Sequence, residues 1–296
     1  MHLNSPTPDA TRNALPAALY VVATPIGNRR DITIRALDVL SMVDLIAAED
    51  TRATKSFLAF HNLSGKLVSY HEHNETQRTP GLIDKLKGGV SVALVSQAGT
   101  PTVSDPGYRL LQGAIDNGIP VIPIPGPSAA TAALSVSGLP TDSYVFVGFP
   151  PAKKGRRKTL LEQLADEPRT IIFYESPKRI LTLLTEIMTT LGNRRSVLAR
   201  EMTKLHEEFL RGRVSEIDAN LRQRTEIKGE CTLLVGGCEP DETDLPNHLV
   251  TEIAEAVNSR KRRPSEISRD IAQKYGVSKK KIYEQVLRLK RLTNEE

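Results

Sequence analysis

Two loops rich in glycine and proline are the parts of this sequence best suited to hold a small molecule. The first loop, 96–107, follows an apolar segment, and the second, 125–128, follows the apolar segment 121–124. Glycine lets a backbone approach a ligand without a side-chain clash and proline fixes φ, so we expect both loops to hold one shape. An ordinary strand-to-helix turn could explain one such loop. The presence of two favours a ligand site.

The apolar segments before these loops belong to an alternation of predicted strands and helices. The strands are predicted at 19–24, 43–48, 66–70, 90–96 and 119–124. Such an alternation is typical of a parallel sheet with helices between its strands. Both loops then lie at the carboxyl ends of parallel strands, where open α/β sheets bind their ligands.

A second set of elements starts after Leu139 and Pro140. Strands are predicted at 144–148, 169–174, 195–201, 206–211 and 228–236, and helices near 155–166, 176–191 and 214–223. Successive strands without a helix between them over 195–211 indicate that part of this sheet is antiparallel. The predicted fold class is therefore α/β, with two α/β domains and a cleft between them.

The remaining segments are predicted as appendages to these two domains. The division is a flexible N-terminal arm at 1–16, α/β domains at 17–139 and 140–238, a linker at 239–246 and a small helix-turn-helix domain at 247–296. In the last domain, Ser265 and Ser278 are predicted to cap two helices and Gly276 to form the turn between them.

The net charge of +5 comes from the C-terminal domain, because residues 247–296 hold twelve Lys and Arg against seven Asp and Glu. Candidate RNA-binding residues there are Lys279, Lys280, Lys281 and Arg288, and a second basic run holds Lys153, Lys154, Arg156, Arg157 and Lys158. Lysine and arginine contacts to phosphate give affinity with little sequence information. The alternatives are a protein-binding helical appendage for the tail and a solvated helix face for the second run.

Several function classes lose support from what the sequence lacks. It has neither the Gly-Lys-Ser/Thr phosphate loop nor a Gly-x-Gly-x-x-Gly turn after its first strand, and its histidines are scattered, so no metal site is predicted. Cys231 and Cys238 match no zinc or redox spacing. No apolar run reaches the roughly 18 residues of a membrane span, and no signal peptide is evident at the start, so we expect a cytoplasmic protein.

Six ordered motifs between about Leu19 and Gly237 resemble those of the tetrapyrrole-methylase-like (class III) S-adenosylmethionine methyltransferases. The motifs are Thr24-Pro25-Ile26-Gly27-Asn28, Ala48-Glu49-Asp50-Thr51-Arg52, Gly99-Thr100-Pro101 through Ser104-Asp105-Pro106-Gly107, Pro125-Gly126-Pro127-Ser128, Phe173-Tyr174-Glu175-Ser176 and Arg200-Glu201-Met202-Thr203-Lys204. Within this family the chain is most similar to the bacterial branch that 2′-O-methylates the ribose of a cytidine in the decoding region of 16S rRNA, and the helix-turn-helix tail also fits that branch.

The resemblance implies a homodimer that binds S-adenosyl-L-methionine in the cleft between the α/β domains. The implied cofactor-binding residues are Pro25, Gln97, Gly99, Thr100, Val103, Ser104, Ser128, Ala129, Phe173, Tyr174, Ala199 and Thr232. For the last four, plain strand core is the alternative. The family has aspartate where this chain has Gln97, which removes a negative charge beside a cationic cofactor. That change would weaken binding or rate only if the carboxylate orients the cofactor or relays a proton.

Methyl transfer to a ribose hydroxyl is an in-line displacement in which the hydroxyl must also lose its proton, so a general base or a polarising cation is required. Charged candidates at strand ends are Glu49, Asp50, Arg52, Glu175 and Arg200, each of which could instead form an ion pair between domains. The implied substrate is small-subunit rRNA, either naked or in the assembled subunit. Alternatives are a small-molecule methylase of the same fold, which has no use for the basic segments, and a non-catalytic RNA-binding ribosome-assembly factor, which would not retain the cofactor.

Overall fold

The computed structural model of the chain describes residues 15–238, 246–259 and 262–294, and it divides into one unit that ends at Gly237 and a second that starts at Cys238. Most of the predicted arm at 1–16 and of the predicted linker at 239–246 lies outside the described residues. In the described part of the chain, no helix is both long and apolar enough to cross a membrane.

The first sheet of the first unit is parallel and is covered by helices on both faces. Its described strands are β1 (Leu19–Val22), β2 (Leu45–Ala48), β3 (Leu67–Ser69), β4 (Val92–Val95) and β5 (Val121–Ile124), in the order β3-β2-β4-β1-β5. The helices between and after them are α1 (Ile34–Met42), α2 (Thr51–Phe60), α3 (Glu75–Lys87), α4 (Tyr108–Asp116) and α5 (Ala129–Ser135). Since both faces are buried, the strands are continuous apolar runs.

The chain changes direction across this sheet between its neighbouring strands β1 and β4. Helix α1, which follows β1, packs with α2 on one face through Leu40 and Leu58, whereas α4, which follows β4, packs with α3 on the other face through Leu110 and Leu82. The loops after β1 and β4 therefore leave the sheet toward opposite faces. This arrangement opens a crevice at the carboxyl ends of these two strands.

The second sheet is mixed, as the sequence predicts. Its described strands are β6 (Tyr144–Gly148), β7 (Thr170–Glu175), β8 (Arg195–Arg200), β9 (Glu208–Arg213) and β10 (Cys231–Val235), in the order β6-β7-β10-β8-β9. Only the β6–β7 pair is parallel among these described strands. Helices α6 (Lys154–Gln163), α7 (Ile180–Thr190) and α8 (Val214–Arg222) share one hydrophobic core with this sheet.

Helix α5 joins the two sheets into one unit. Its buried Ala133 and Leu134 belong to a cluster that also contains Ile172 of β7, Val197 of β8 and Leu234 of β10. One hydrophobic cluster is therefore shared by α5, which follows the first sheet, and the face of the second sheet that packs against it.

The C-terminal unit is a bundle of α9 (Asn247–Asn258), α10 (Pro264–Tyr275) and α11 (Lys279–Asn294) around its own apolar core. Gly276 ends α10 in the left-handed conformation with φ 68°, which forms the predicted turn. The predicted cap at Ser265 is wrong, because α10 begins one residue earlier at Pro264. Proline is suited to a first helical position, and Glu266 accepts a hydrogen bond from the backbone N–H of Arg263 at 3.0 Å.

Candidate functional site

A cleft of about 370 Å³ lies in the first unit, where loops from the first sheet face the carboxyl-end region of β7 and the start of β10. It is lined by Ile26, Glu49, Gln97, Ala98, Gly99, Thr100, Val103, Ser104, Asp105, Ser128, Ala129, Phe149, Tyr174, Glu175, Ser176, Pro177, Gly229, Glu230, Cys231 and Thr232. This volume falls in the range of roughly 300–1,000 Å³ that is usual for small-molecule sites.

The floor of the cleft is fixed by backbone pairing between the loops that follow β1 and β4. The backbone N–H of Thr24 donates to the carbonyl of Gly99 at 2.8 Å, and the N–H of Gly99 donates to the carbonyl of Thr24 at 2.9 Å. The hydroxyl of Thr100 then donates to the carbonyl of Pro127 at 3.3 Å, which connects the loop after β4 to the loop after β5. Three loops are thus held together at the crevice.

The loop after β4 has an unusual backbone that directs its side chains into the cleft. Thr102 and Ser104 have φ values of 73° and 65°, in the left-handed region that residues other than glycine rarely adopt. A Cβ added to Gly148 at the end of β6 would lie 2.5 Å from the Ser104 Oγ. The loop therefore rests directly on the second sheet at a position that requires glycine.

Four carboxylates line the cleft, and three of them have partners. Glu49 accepts a hydrogen bond from the backbone N–H of Gln97 at 2.9 Å. Glu175, only 2% exposed, forms an ion pair with Arg179 at 2.7 Å. Glu230 forms an ion pair with Lys204 at 3.0 Å.

The fourth carboxylate, Asp105, differs from the other three. In the described residues no cation and no N–H group pairs with it. Burial and the negative charge of Glu49 raise its pKa to about 7, and the hydroxyl of Ser96 partly opposes that shift. Near neutral pH the protonated and the ionised forms of this carboxyl are therefore both populated.

Most of the residues expected to bind the cofactor lie together in the cleft. They are Gln97, Gly99, Thr100, Val103, Ser104, Ser128, Ala129, Tyr174 and Thr232. Tyr174 is fixed there because its hydroxyl accepts the backbone N–H of Ala130 at 3.1 Å.

Three expected cofactor residues lie elsewhere. Pro25 lines an adjoining hollow of about 290 Å³ rather than the cleft. Phe173, fully buried, points into the core shared by the second sheet and its helices, and Ala199 belongs to the core around α5. Alternation along β7 explains Phe173, because the neighbour of Tyr174 on the strand must face the other side of the sheet. Ala199 pairs with Thr232 and so lies on the same face as the cleft residues, but it packs into the α5 core.

Among the expected catalytic residues, Glu49 and Glu175 line the cleft, but Asp50, Arg52 and Arg200 do not. Asp50 caps α2 by accepting the backbone N–H groups of Arg52 and Ala53 at 2.8 and 2.9 Å, which lowers its pKa. Arg52 is exposed on the first turn of that helix.

Arg200 is held in an ion-pair network away from the cleft. Its guanidinium donates to Glu208 on the neighbouring strand at 2.9 Å and to the carbonyl of Lys228 at 3.0 Å. Arg224 holds the same Glu208 carboxylate from the other side. Arg200 thus forms an ion pair within the second sheet, and not the ion pair between domains that was the alternative to a catalytic role.

Of the predicted basic run, Lys153, Lys154, Arg156 and Lys158 are exposed at the start of α6. Arg157 is buried and forms a two-pronged ion pair with Glu186 while it donates to the carbonyls of Pro151 and Ala152, so its guanidinium stabilises the α6–α7 contact. In the tail, Lys279 is exposed, whereas the side chains of Lys280, Lys281 and Arg288 lie outside the described residues.

Several cleft residues were not predicted as site residues from the sequence. They are Ile26, Ala98, Asp105, Phe149, Ser176, Pro177, Gly229, Glu230 and Cys231. Ile26, Ala98, Asp105 and Ser176 stand inside or next to the quoted motifs, so proximity in sequence could have found them. Phe149, Gly229 and Glu230 carry no such signal. In the described part of the chain, no group of three or more His, Cys, Asp and Glu side chains could hold a metal ion.

Comparison with known proteins gives matches over most of the chain. The family model described as Tetrapyrrole (Corrin/Porphyrin) Methylases matches residues 18–218. The chain is 46% identical over 269 residues to "Ribosomal RNA small subunit methyltransferase I" of Halalkalibacterium halodurans, covering 90% of this chain and 93% of that protein. It is 43% identical over 285 residues to the protein of the same name from Mesorhizobium japonicum, with 95% of each chain covered.

Solved structures of distant proteins share the fold. A uroporphyrin-III-C-methyltransferase from Thermus thermophilus has a TM-score of 0.53 at 22% identity, covering 74% of this chain and 93% of that chain. A cobalt precorrin-4 methyltransferase has a TM-score of 0.55 at 17% identity, covering 78% and 97%. At these identities the likeness concerns the arrangement of the two sheets.

Proposed function

Because the chain belongs to the tetrapyrrole (corrin/porphyrin) methylase family, in its ribosomal RNA small subunit methyltransferase I branch, we propose that it transfers a methyl group from S-adenosyl-L-methionine to small-subunit rRNA. The proposed acceptor is the ribose 2′-oxygen of a cytidine in the decoding region of 16S rRNA. The observation that carries the proposal is the cleft, in which nine of the residues expected to bind the cofactor lie together.

The cleft residues fit a cationic, partly aromatic cofactor. Ile26, Val103 and Phe149 offer apolar surface for an adenine ring, and the carboxylates of Glu49 and Asp105 suit a positively charged group. The sulfonium cofactor supplies an activated methyl group when bound. The described residues then bind and orient it, exclude water and accept the proton of the acceptor.

We propose that the acceptor nucleotide binds in the hollow next to the cleft. The adjoining hollow shares Ile26, Gln97 and Glu230 with the cleft and is also lined by Arg29. The guanidinium of Arg29 lies over the ring of Phe60, 5.2 Å from its centroid. A cation and an exposed aromatic ring side by side suit single-stranded RNA, whose bases stack on aromatic and guanidinium planes.

Gln97 is the point where the chain departs from the family pattern, and its surroundings support retained activity. Its backbone N–H anchors Glu49, so this loop-fixing contact does not need a carboxylate at position 97. Glu49 also keeps a carboxylate in the cleft. We therefore propose that the glutamine is compatible with turnover.

We propose that the exposed cations at the start of α6 bind RNA phosphates, and that the C-terminal unit forms a second RNA-binding surface. A small-molecule methylase would have no evident use for either. We further propose that the enzyme acts as a homodimer in the cytoplasm on the rRNA or the assembled subunit. The resemblance supports the dimer, and exposed apolar residues such as Leu205 and Ile34, which are 92% and 79% exposed, offer surface that a second copy could cover.

The proposal is tested by incubating the protein with labelled S-adenosylmethionine and small subunits that lack the modification, and mapping the labelled nucleotide. We expect label on one cytidine ribose 2′-oxygen of the decoding region. Cofactor binding without label would reject this acceptor, and absence of cofactor binding would favour a non-catalytic RNA-binding factor.

A pair of charge variants tests RNA binding by α6 in the same assay. Lys154→Glu with Arg156→Glu should raise the KM for subunits at least tenfold, because both exposed side chains change sign beside the RNA phosphates. Lys85→Glu with Lys87→Glu, on the exposed end of α3, is the matched control and should change it less than twofold. Equal effects of the two pairs would contradict a specific role for α6.

A further inference from the structure

The loop after β4 carries an acid into the cleft in a fixed position. Asp105 follows Ser104, whose left-handed backbone and contact with Gly148 seat the loop on the second sheet. On its other side, Gly107 turns the chain into α4 with φ 129°. The backbone on both sides of Asp105 is thus fixed, and the residue is half-buried in the wall of the cleft.

Asp105 also differs from the other cleft carboxylates because its oxygens are not engaged by a cation or an N–H group in the described residues. Glu175 and Glu230 are neutralised by ion pairs, and Glu49 is engaged by a backbone N–H group. These three carboxylates therefore already have partners within the protein. Within the described residues, Asp105 has neither kind of partner.

The groups around Asp105 favour its protonated form. Burial and, after it, the negative charge of Glu49, which follows β2, raise the pKa of Asp105 to about 7. Tyr174 on β7 is close enough that the charge of Asp105 contributes to raising the tyrosine pKa, after burial. The remaining titratable groups that line the cleft are Glu175, Glu230 and Cys231. No lysine or arginine is among the residues that line the cleft.

We propose that Asp105 is the general base of the methyl transfer, an inference that rests on the proposed function. As the bond between the acceptor oxygen and the methyl carbon forms and the sulfur–methyl bond breaks, the hydroxyl proton passes to the carboxylate of Asp105. The sulfur leaves as a neutral thioether with the bonding electron pair, so atoms and charges balance. Glu49 acts as a positioning residue, because its charge makes Asp105 a stronger base.

The kinetic test measures single-turnover methyl transfer to unmodified small subunits at saturating cofactor as a function of pH. For the unaltered protein we expect the rate to rise with pH and level off above about pH 7, since the base must be deprotonated. Asp105→Asn should lower the plateau about 10²–10⁴-fold and abolish the dependence. Glu49→Gln should move the midpoint to lower pH, because it removes the negative charge that favours protonation.

A second readout needs neither cofactor nor RNA. In the ligand-free protein with ¹³C-labelled aspartate carboxyls, nuclear magnetic resonance should show one signal with a midpoint near pH 7. That signal should vanish in Asp105→Asn and shift to lower pH in Glu49→Gln. Asp116→Asn, on the exposed end of α4, is the matched control and should change neither this signal nor the rate profile.

The outcomes separate this proposal from the proposed function. If the unaltered protein labels no subunit, the proposed function fails. If it labels subunits while Asp105→Asn keeps the pH dependence or loses less than tenfold in rate, only the general base is rejected. The general base would also be rejected if the Asp105 signal titrated near pH 4. It would be rejected, too, if a higher cofactor concentration restored the rate that Asp105→Asn loses.

Discussion

Gly107 is the residue on which the shape of the loop after β4 most directly depends. A Cβ at this position would lie 2.6 Å from the Leu94 Cδ2 and 3.2 Å from the Thr102 Cγ2, and φ is 129°. Gly107→Ala should lower the free energy of unfolding by about 1–3 kcal/mol through strain and overpacking. It should also weaken cofactor binding, because the loop that carries Asp105 must move. Urea unfolding and calorimetric titration with the cofactor measure the two effects.

The control for this substitution is Gly118→Ala. Gly118 has φ 65° but nothing within 4 Å of an added Cβ, so only left-handed strain of about 1–2 kcal/mol is added. Cofactor affinity should stay unchanged in this variant. If both variants bind the cofactor as the unaltered protein does, the geometry of Gly107 does not matter for the site.

At the residue scale, the sequence predicts the cleft loops better than it predicts charged side chains. Glycine and proline act through their own backbones, so Gly99 and its neighbours could be placed from their types alone. Arg157 was predicted to bind RNA and Arg200 to act in catalysis, yet Arg157 pairs with Glu186 on α7 and Arg200 with Glu208 on the neighbouring strand. A sequence shows which residues are charged, but tertiary packing decides which residues form ion pairs with them.

At the element scale, the β8–β9 pair is stabilised by an ion-pair network that should be lost when acid protonates Glu208. Arg224 and Arg200 hold the pKa of Glu208 down to about 2, from a usual value of 4.5. The network therefore contributes stability above pH 4.5 and loses it as pH falls toward 2. Glu208→Gln should cost about 1–3 kcal/mol of unfolding free energy at pH 7, and the difference from the unaltered protein should vanish near pH 2.

Denaturant unfolding at several pH values measures this dependence. Glu226→Gln is the control, because Glu226 pairs with Lys228 at 2.8 Å on the surface, where its side chain is 64% exposed. Such exposed pairs contribute about 0–1 kcal/mol. A loss at Glu208 no larger than at Glu226, or one independent of pH, would contradict the network.

Every strand predicted in the two sheets is present, with ends that differ by a few residues. Strands such as β4 and β10 could be predicted because they are short apolar runs that are buried along their whole length. The role of α5 could not be predicted. Its seven residues look like a short connecting helix, but the small side chains of Ala130 and Ala133 let it pack against the second sheet. Such a contact depends on shape, which residue types do not display.

At the scale of the whole molecule, the C-terminal unit has its own core, and the cleft lies entirely in the first unit. A chain that ends at Gly237 should therefore bind the cofactor as the full chain does. It should bind small subunits more weakly and with a shallower salt dependence, because each lost phosphate contact lowers the slope of log affinity against log salt by about 0.7–0.9.

Binding of both chains to subunits at a series of salt concentrations checks this expectation. Equal affinities and slopes would show that the basic tail does not hold RNA, in favour of a protein-binding appendage. Loss of cofactor binding in the short chain would contradict the independence of the two units.

The thiol of Cys231 forms part of the cleft wall and is 4% exposed. Burial raises its pKa to about 11, so roughly one molecule in 10⁴ carries the reactive thiolate at pH 7. Oxidants and alkylating agents attack the thiolate, and they would find almost none here. This thiol is thereby unreactive, and the site should survive oxidative stress that inactivates enzymes with exposed, acidic thiols.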